Sequence, residues 1–342
     1  MKKLLRLSVL AIFAMTLFTG GAVTAQEDTE EITGDTGISG GSGFRVSPAR
    51  DEFVVDRGST ESRTIRIRNV TDNEQTARAV IDDFSASANE SGTPNLLVGN
   101  DAVENYPFSI KPFVLSINDV VLQPGEEREV LVTFSIPEDT APGAYFGLVR
   151  FVTINELDES LVEDAGVALN ASVGVVYLID VPGETIDQLT LEEMTVTKDG
   201  ASGSLFSSAP DAVALRLSNP GNTFQAPFGK ILVRNWSGDV VYEYEFNGTD
   251  PRGNVLPDSI RRFEDPIENI GSFGRYTVEA NISYGDGGNL ITNTVTFWVV
   301  PWTTVGLVLV GVIAVVFAGT RGLKAYNKRV IEGSKGTRVK KK

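Results

Sequence analysis

The sequence predicts an all-β fold: two tandem immunoglobulin-like β-sandwiches followed by one C-terminal transmembrane helix. Three observations carry this. Short segments alternate apolar and polar residues with a period of two, the spacing of half-buried strands. Turn pairs such as Pro124-Gly125 and Pro142-Gly143 divide those segments. One long uncharged run, Phe297 to Thr320, stands near the C-terminus.

The elements follow in chain order. Residues 1–25 read as a signal peptide: Lys2, Lys3 and Arg6, an apolar run from Leu7 to Phe18, then Ala22-Val23-Thr24-Ala25, with cleavage before Gln26. That run is shorter than the ~20 residues a membrane span needs. Residues 26–43 are acidic and then Gly-rich, a composition that buries no core, so a flexible leader is expected.

Residues 44–182 are assigned to the first sandwich. There Ile65 and Ile67 alternate with Arg66 and Arg68, and Val130, Val132, Phe134 and Ile136 alternate with Leu131, Thr133 and Ser135. Residues 183–296 are assigned to the second. Its clearest strand alternates Tyr276, Val278, Ala280, Ile282 and Tyr284 with Thr277, Glu279, Asn281 and Ser283. The two units share an order of signals. IRIRN (65–69) answers LRLSN (215–219), LQPGEERE (122–129) answers LPDSIRRFE (256–264), and GAYFGLVRF (143–151) answers GRYTVEANI (274–282). Several short strands with regular turns mean a sandwich or barrel, and the repeat favours two immunoglobulin-like sandwiches.

Residues 297–320 are expected to cross a membrane, and residues 321–342 form a basic tail. Trp298 and Trp302 at the start of the span, and Arg321 and Lys324 after it, are the expected membrane-interface residues, since amphipathic rings favour the headgroup layer and positive charge marks the cytoplasmic side. The expected location is the cell membrane, single-pass and type I, with the ectodomain extracellular. No L-P-x-T-G precedes the span, so the chain is expected to stay in the membrane.

Composition narrows the function classes. Residues 26–320 hold 18 Lys and Arg against 44 Asp and Glu, which argues against nucleic acid as a partner. The same charge disfavours anionic wall polymers unless a divalent cation or a local basic patch intervenes. There is no cysteine, so the exported fold relies on hydrophobic cores rather than disulfides. There is no histidine either, which removes the usual general base, the Ser-His-Asp and Cys-His systems and ordinary zinc sites.

The remaining motifs are weak. Gly37-Ile38-Ser39-Gly40-Gly41 fits G-x-S-x-G by letters but lies in the Gly-rich leader without a histidine partner. Asp82-Asp83, Glu126-Glu127 and Glu192-Glu193 are adjacent carboxylates; strand neighbours point to opposite faces, so solvated acidic surface is expected rather than an acid/base dyad. Asp286 with Asn289, and Asp250 with Asn254, are turn residues without the spacing of a calcium loop. Trp236 is either an exposed hot spot or a core-facing ring, and the core is favoured. No catalytic residue, cofactor or metal site is expected.

The layout resembles the WxL-interacting surface proteins of Gram-positive-type bacteria. The residues that carry the resemblance are FRVSPAR (44–50), the strand ending in Asn69, LQPGEEREVLVTFSIPED (122–139) and GAYFGLVRF (143–151), then LRLSNPGN (215–222), VLPDSIRRF (255–263) and GRYTVEANISY (274–284). The resemblance implies a first module of the domain of unknown function 916 type, described as peptidoglycan-binding, and a second module described as host-binding, without catalytic residues. The chain departs from that pattern at Asp51-Glu52, where an Asn-Gln pair is usual, and at Tyr145-Phe146-Gly147, where a Gly-Gly pair is usual.

The expected function is a non-enzymatic, membrane-anchored surface protein whose sandwiches recognise peptidoglycan, another cell-wall polymer or a partner surface protein. The alternative is a tandem-sandwich assembly chaperone or structural spacer acting by strand-edge pairing. A two-carboxylate glycan hydrolase is a third class, and no turnover is expected.

Overall fold

A computed structural model describes residues 38–39, 43–154, 172–285 and 288–336. The expected signal peptide lies outside the described residues, as do Gly37, Gly40, Gly41 and Asp286.

Two β-sandwiches follow one another, and each is formed where alternation puts one face of a strand inward. The first begins with β1 (Ile38–Ser39), β2 (Phe44–Ser47), β3 (Arg50–Val54), β4 (Thr60–Asn69) and β5 (Gln75–Asp82). A hairpin of β6 (Phe84–Ala86) and β7 (Pro94–Leu96) follows, then β8 (Val120–Leu122), β9 (Glu127–Ser135), β10 (Gly143–Thr153) and β11 (Val173–Val181). One sheet runs β1-β2-β4-β9 and the other β3-β11-β10-β5-β8. Most neighbours are antiparallel, but β3 runs parallel to β11, so the first segment of the chain switches between sheets.

Ile65, Ile67, Val132 and Phe134 of one sheet meet Val149, Phe151, Val175 and Tyr177 of the other in a closed core. Phe53, Phe134 and Tyr177 interlock with ring centroids 4.9 to 6.2 Å apart. Burying each such side chain stabilises the fold by ~1.5–3 kcal/mol. Arg66, Arg68 and Leu131 stay on the wet face, as the alternation predicts. Ile38–Ser39, within the expected leader, pairs as a short edge strand with Arg45–Val46.

The second sandwich repeats the plan. It contains β12 (Thr190–Lys198), β13 (Ala201–Gly203), β14 (Leu205–Phe206), β15 (Ala212–Asn219), β16 (Phe228–Arg234), β17 (Val240–Phe246), β18 (Ser259–Pro266), β19 (Gly274–Tyr284) and β20 (Asn289–Val299). Its sheets run β13-β12-β15-β18 and β14-β20-β19-β16-β17, with β14 parallel to β20. The three pairs of repeated sequence fall on strands in matching places: the end of β4 and of β15, the approach to β9 and to β18, and β10 and β19.

One side chain ties each copy together. Asn69 is fully buried and donates from Nδ2 to the carbonyls of Asn73 (2.7 Å) and Leu122 (3.1 Å), while its Oδ1 accepts from Thr71 N (2.9 Å). Asn219 is also fully buried and donates to the carbonyls of Thr223 (2.8 Å) and Val255 (2.9 Å), accepting from Gly221 N (3.0 Å). Both link a loop to the segment crossing opposite, and both satisfy backbone groups that burial would otherwise leave unpaired.

The helix α1 (Trp302–Gly336) follows β20 after two residues. Trp302–Lys328 is long and apolar enough to cross a membrane. The expected span started five residues too early. Phe297 and Val299 are fully buried in the second core, and Phe297 stacks on Tyr276 at 5.3 Å. An uncharged last strand runs directly into the helix, so hydropathy alone merges the two. The helix also continues past Thr320 into the basic tail.

Candidate binding cleft

The two sandwiches meet at a joint built from named contacts. Residues 83–119 connect β5 to β8, and the β6–β7 hairpin in this stretch leans toward the second sandwich. Glu90 at its tip receives a two-pronged hydrogen bond from Arg216 of β15 (2.7 and 2.5 Å), and its carbonyl accepts from Arg262 N of β18 (2.8 Å). The Arg216 bonds hold the Glu90 carboxyl below the usual carboxylate range.

Asn222 is the second anchor. Its carbonyl accepts from Ala144 N (2.8 Å), its Nδ2 donates to the Pro142 carbonyl (3.2 Å) and its Oδ1 accepts from Ile186 N (2.7 Å). Gly143 sits at φ +136, and a Cβ there would stand 2.7 Å from the Asn222 carbonyl, so this close approach requires glycine. Between the anchors the rings of Phe84, Phe108 and Phe224 surround Phe146, at 5.0 to 5.9 Å.

Beside this packing lies a cleft of ≈ 230 Å³, walled by Phe84 of β6, Val176 and Leu178 of β11, and Leu256 and Ile260 next to and on β18. Asn254, Arg50 and Arg261 are among the polar residues that line it. Asn254 is only 8% exposed; its Nδ2 donates to Glu52 (3.3 Å), and its Oδ1 has no partner among the described residues. Arg50 pairs with Glu52 and donates to the Arg252 carbonyl (3.0 Å), leaving Nε unpartnered. Arg261 donates to the Asn254 carbonyl (2.7 Å) and lies over the Phe263 ring, yet its Nε is unpartnered and it makes no ion pair among the described residues. Burial, then the neighbouring Arg50 charge, lowers its pKa from the ordinary arginine value. A half-buried cation without an acid, beside an orphaned amide oxygen and an apolar wall, is suited to hold an acidic group that carries a hydrogen-bond donor.

The sheet edges offer a second kind of surface. The outer edge of β9 is covered, since Phe113 and Leu115 hydrogen-bond to Ser135 and Thr133. The outer edge of β17 has no strand beside it among the described residues, and Glu243 and Glu245 stand along that strand. Charged side chains on an edge oppose unselective pairing.

Of the three adjacent carboxylate pairs, Glu126-Glu127 and Glu192-Glu193 lie at the surface as expected, and one pair departs from expectation. Asp82 and Asp83 are buried rather than solvated. Asp82 pairs with Arg150 (2.8 Å); Asp83 pairs with Lys111 (2.7 Å) and accepts from Ser109 (2.6 Å). Each is neutralised separately, because the chain leaves β5 between them and the residues 83–119 segment supplies its own cation. Glu126 pairs with Arg128 at the surface. Asp250 is exposed, whereas Asn254 belongs to the cleft. No cluster of metal-ligating side chains occurs among the described residues. Ser39 lies on an edge strand, not at a strand-to-helix elbow.

Asp51 and Glu52 lie on β3 beside Tyr177 and Leu178, and burial raises the Asp51 pKa against the opposing effect of Arg63. Tyr145 packs edge-on against Phe113, and a Cβ at Gly147 would strike Ile110. Of the residues expected at a membrane interface, Trp302 opens the helix and Arg321 lies over the Phe317 ring, with Lys324 exposed one turn on. Trp298 instead sits on the outer face of β20. Trp236 is exposed, not in the core: Asn235 and Asp239 close a tight turn that points the ring outward. Arg50 and Arg261 were not singled out by sequence, since nothing local distinguishes them from the other strand arginines.

No family model matches the chain, and no curated protein matches it. Among solved structures, the class 5 fimbriae chaperone CfaA aligns over 75% of this chain and 99% of its own at 13% identity, with a TM-score of 0.35. The E. coli chaperone DraB aligns over 75% and 96% at 14% identity and TM-score 0.31. CupB2 of Pseudomonas aeruginosa aligns over 74% and 98% at 13% identity and TM-score 0.31.

Proposed function

We propose that this chain is a non-enzymatic, membrane-anchored binding protein of the cell surface, a single-pass type I protein whose sandwiches face outward. Its ligand is an envelope component: peptidoglycan or another cell-wall polymer, or a partner surface protein. The observation that carries the reading is the cleft, where Arg261 and Asn254 keep polar groups unpartnered at the joint of two sandwiches held on a membrane-length helix. The cleft supplies the local positive site that an acidic ectodomain needs to hold carboxylates of wall peptides or of a partner. The reading agrees with the resemblance to WxL-interacting proteins.

The test uses the full chain in lipid nanodiscs, co-sedimented with isolated wall sacculi with and without calcium. Saturable pelleting that Arg261→Met reduces supports wall binding through the cleft. If nothing pellets, a photo-crosslinker at Ile260 in cells should capture a protein; absence of both sinks the proposal. The open edge of β17 favours a second reading, assembly or spacing by strand pairing, in which an extended partner segment adds to that sheet.

A further inference from the structure

Trp236 and Phe273 are 79% and 67% exposed, although large aromatic side chains ordinarily contribute burial to a core or an interface. They are neighbours: Trp236 reaches to within 3.7 Å of the Cβ position of Gly274, the residue after Phe273. The backbone that carries each ring is held in place. The Asn235 side chain accepts from Ser237 N (3.0 Å) and Asp239 N (2.9 Å), fixing the turn under Trp236, and Tyr276 donates to the Phe273 carbonyl (3.2 Å).

Their position relative to the helix decides what covers them. Ser272 and Phe273 share one hollow with Pro301, Thr304, Val305 and Val308. Phe273 therefore flanks the first two turns of the apolar helix, a depth of about 9 Å from Trp302 to Val308 at the α-helical rise. From Trp302 to Arg321 the helix rises about 28 Å, close to the ~30 Å hydrocarbon thickness, which sets Trp302 at one boundary and Arg321 at the other. A ring beside Val305 then stands in the boundary layer itself, where aromatic side chains are favoured.

We propose that the loop end of the second sandwich, through Trp236 and Phe273, inserts into the outer lipid leaflet beside its own helix. The bilayer is the occupant because the chain itself delivers it there, two residues after β20. Insertion at two loops and one helix would fix the tilt of the sandwiches and hold the cleft at a set orientation to the membrane. The inference rests on α1 crossing the membrane.

The test is bromolipid quenching of tryptophan fluorescence, with one full-length chain per nanodisc. A W298F/W302F variant leaves only Trp236; a W236F/W298F variant leaves Trp302 as the control for the span. Both tryptophans are expected to lose intensity in brominated lipid to a comparable extent, and Phe273→Ser should reduce the loss at Trp236 alone. Quenching of Trp302 without quenching of Trp236 overturns the insertion while the span stands. Quenching of neither removes the span and the insertion together. A blue shift of Trp236 without quenching, seen only with two chains per disc, assigns the patch to a second copy and also overturns the proposal.

Discussion

The two sandwiches share strand order, a parallel first segment and a buried asparagine tie, yet they treat the same connection in opposite ways. In the first, residues 83–119 join β5 to β8 and carry the β6–β7 hairpin, which covers the outer face of its sheet and forms half of the cleft. In the second, residues 235–239 make the equivalent connection as a tight turn, which leaves Trp236 in the open. The scaffold tolerates both because loop ends lie outside the core, and lengthening a loop costs little in closure entropy. The two copies therefore differ in this connection rather than in the core.

The largest effect is expected at the covered face of the first sandwich. Phe146→Ala removes the ring about which Phe84, Phe108 and Phe224 pack, and is expected to cost about 3–5 kcal/mol in denaturant unfolding of the full chain. A change under 1 kcal/mol would mean that the face is not packed as described. Next come the matched ties. Asn69→Ala and Asn219→Ala should each cost about 2–3 kcal/mol, because each strands buried backbone groups, and similar losses would establish their equivalence. A marked inequality would end the idea of one shared device.

Arg261→Met comes next. A half-buried charge without an acid carries a desolvation cost that its bond to the Asn254 carbonyl and its place over the Phe263 ring offset only in part, so the variant should stay within about 1 kcal/mol of the parent. Clear destabilisation would make Arg261 a structural plug. The smallest effect concerns pH. The Glu90 pKa is lowered in the folded chain, so its contribution is present above the unfolded glutamate value and fades as the pH falls through the lower folded one. Glu90→Gln should therefore flatten that acid limb slightly, as read from melting temperature against pH.

Much of the fold was legible because period-two alternation reports burial directly: Ile65, Val132, Leu215 and Val278 all lie inward. The helix was legible too, but not its start, since Phe297 and Val299 are apolar for a core reason that hydropathy cannot separate from a lipid reason. Asp82 and Asp83 read as surface because their cations, Arg150 and Lys111, are distant in sequence. The cleft was invisible for the same reason: Arg50, Asn254 and Arg261 come together only when the two sandwiches dock. Trp236 was misplaced because a ring next to a turn can point either way, and the hydrogen bonds of Asn235 decide it.

Recognition in the cleft at the joint is open to hydrogen exchange of the full chain in nanodiscs. Spectra would be compared with and without solubilised envelope material that the chain retains. Added protection is expected in the β6–β7 hairpin and in residues 254–261. Protection along β17 instead, with the cleft unchanged, would contradict recognition there and point to strand pairing.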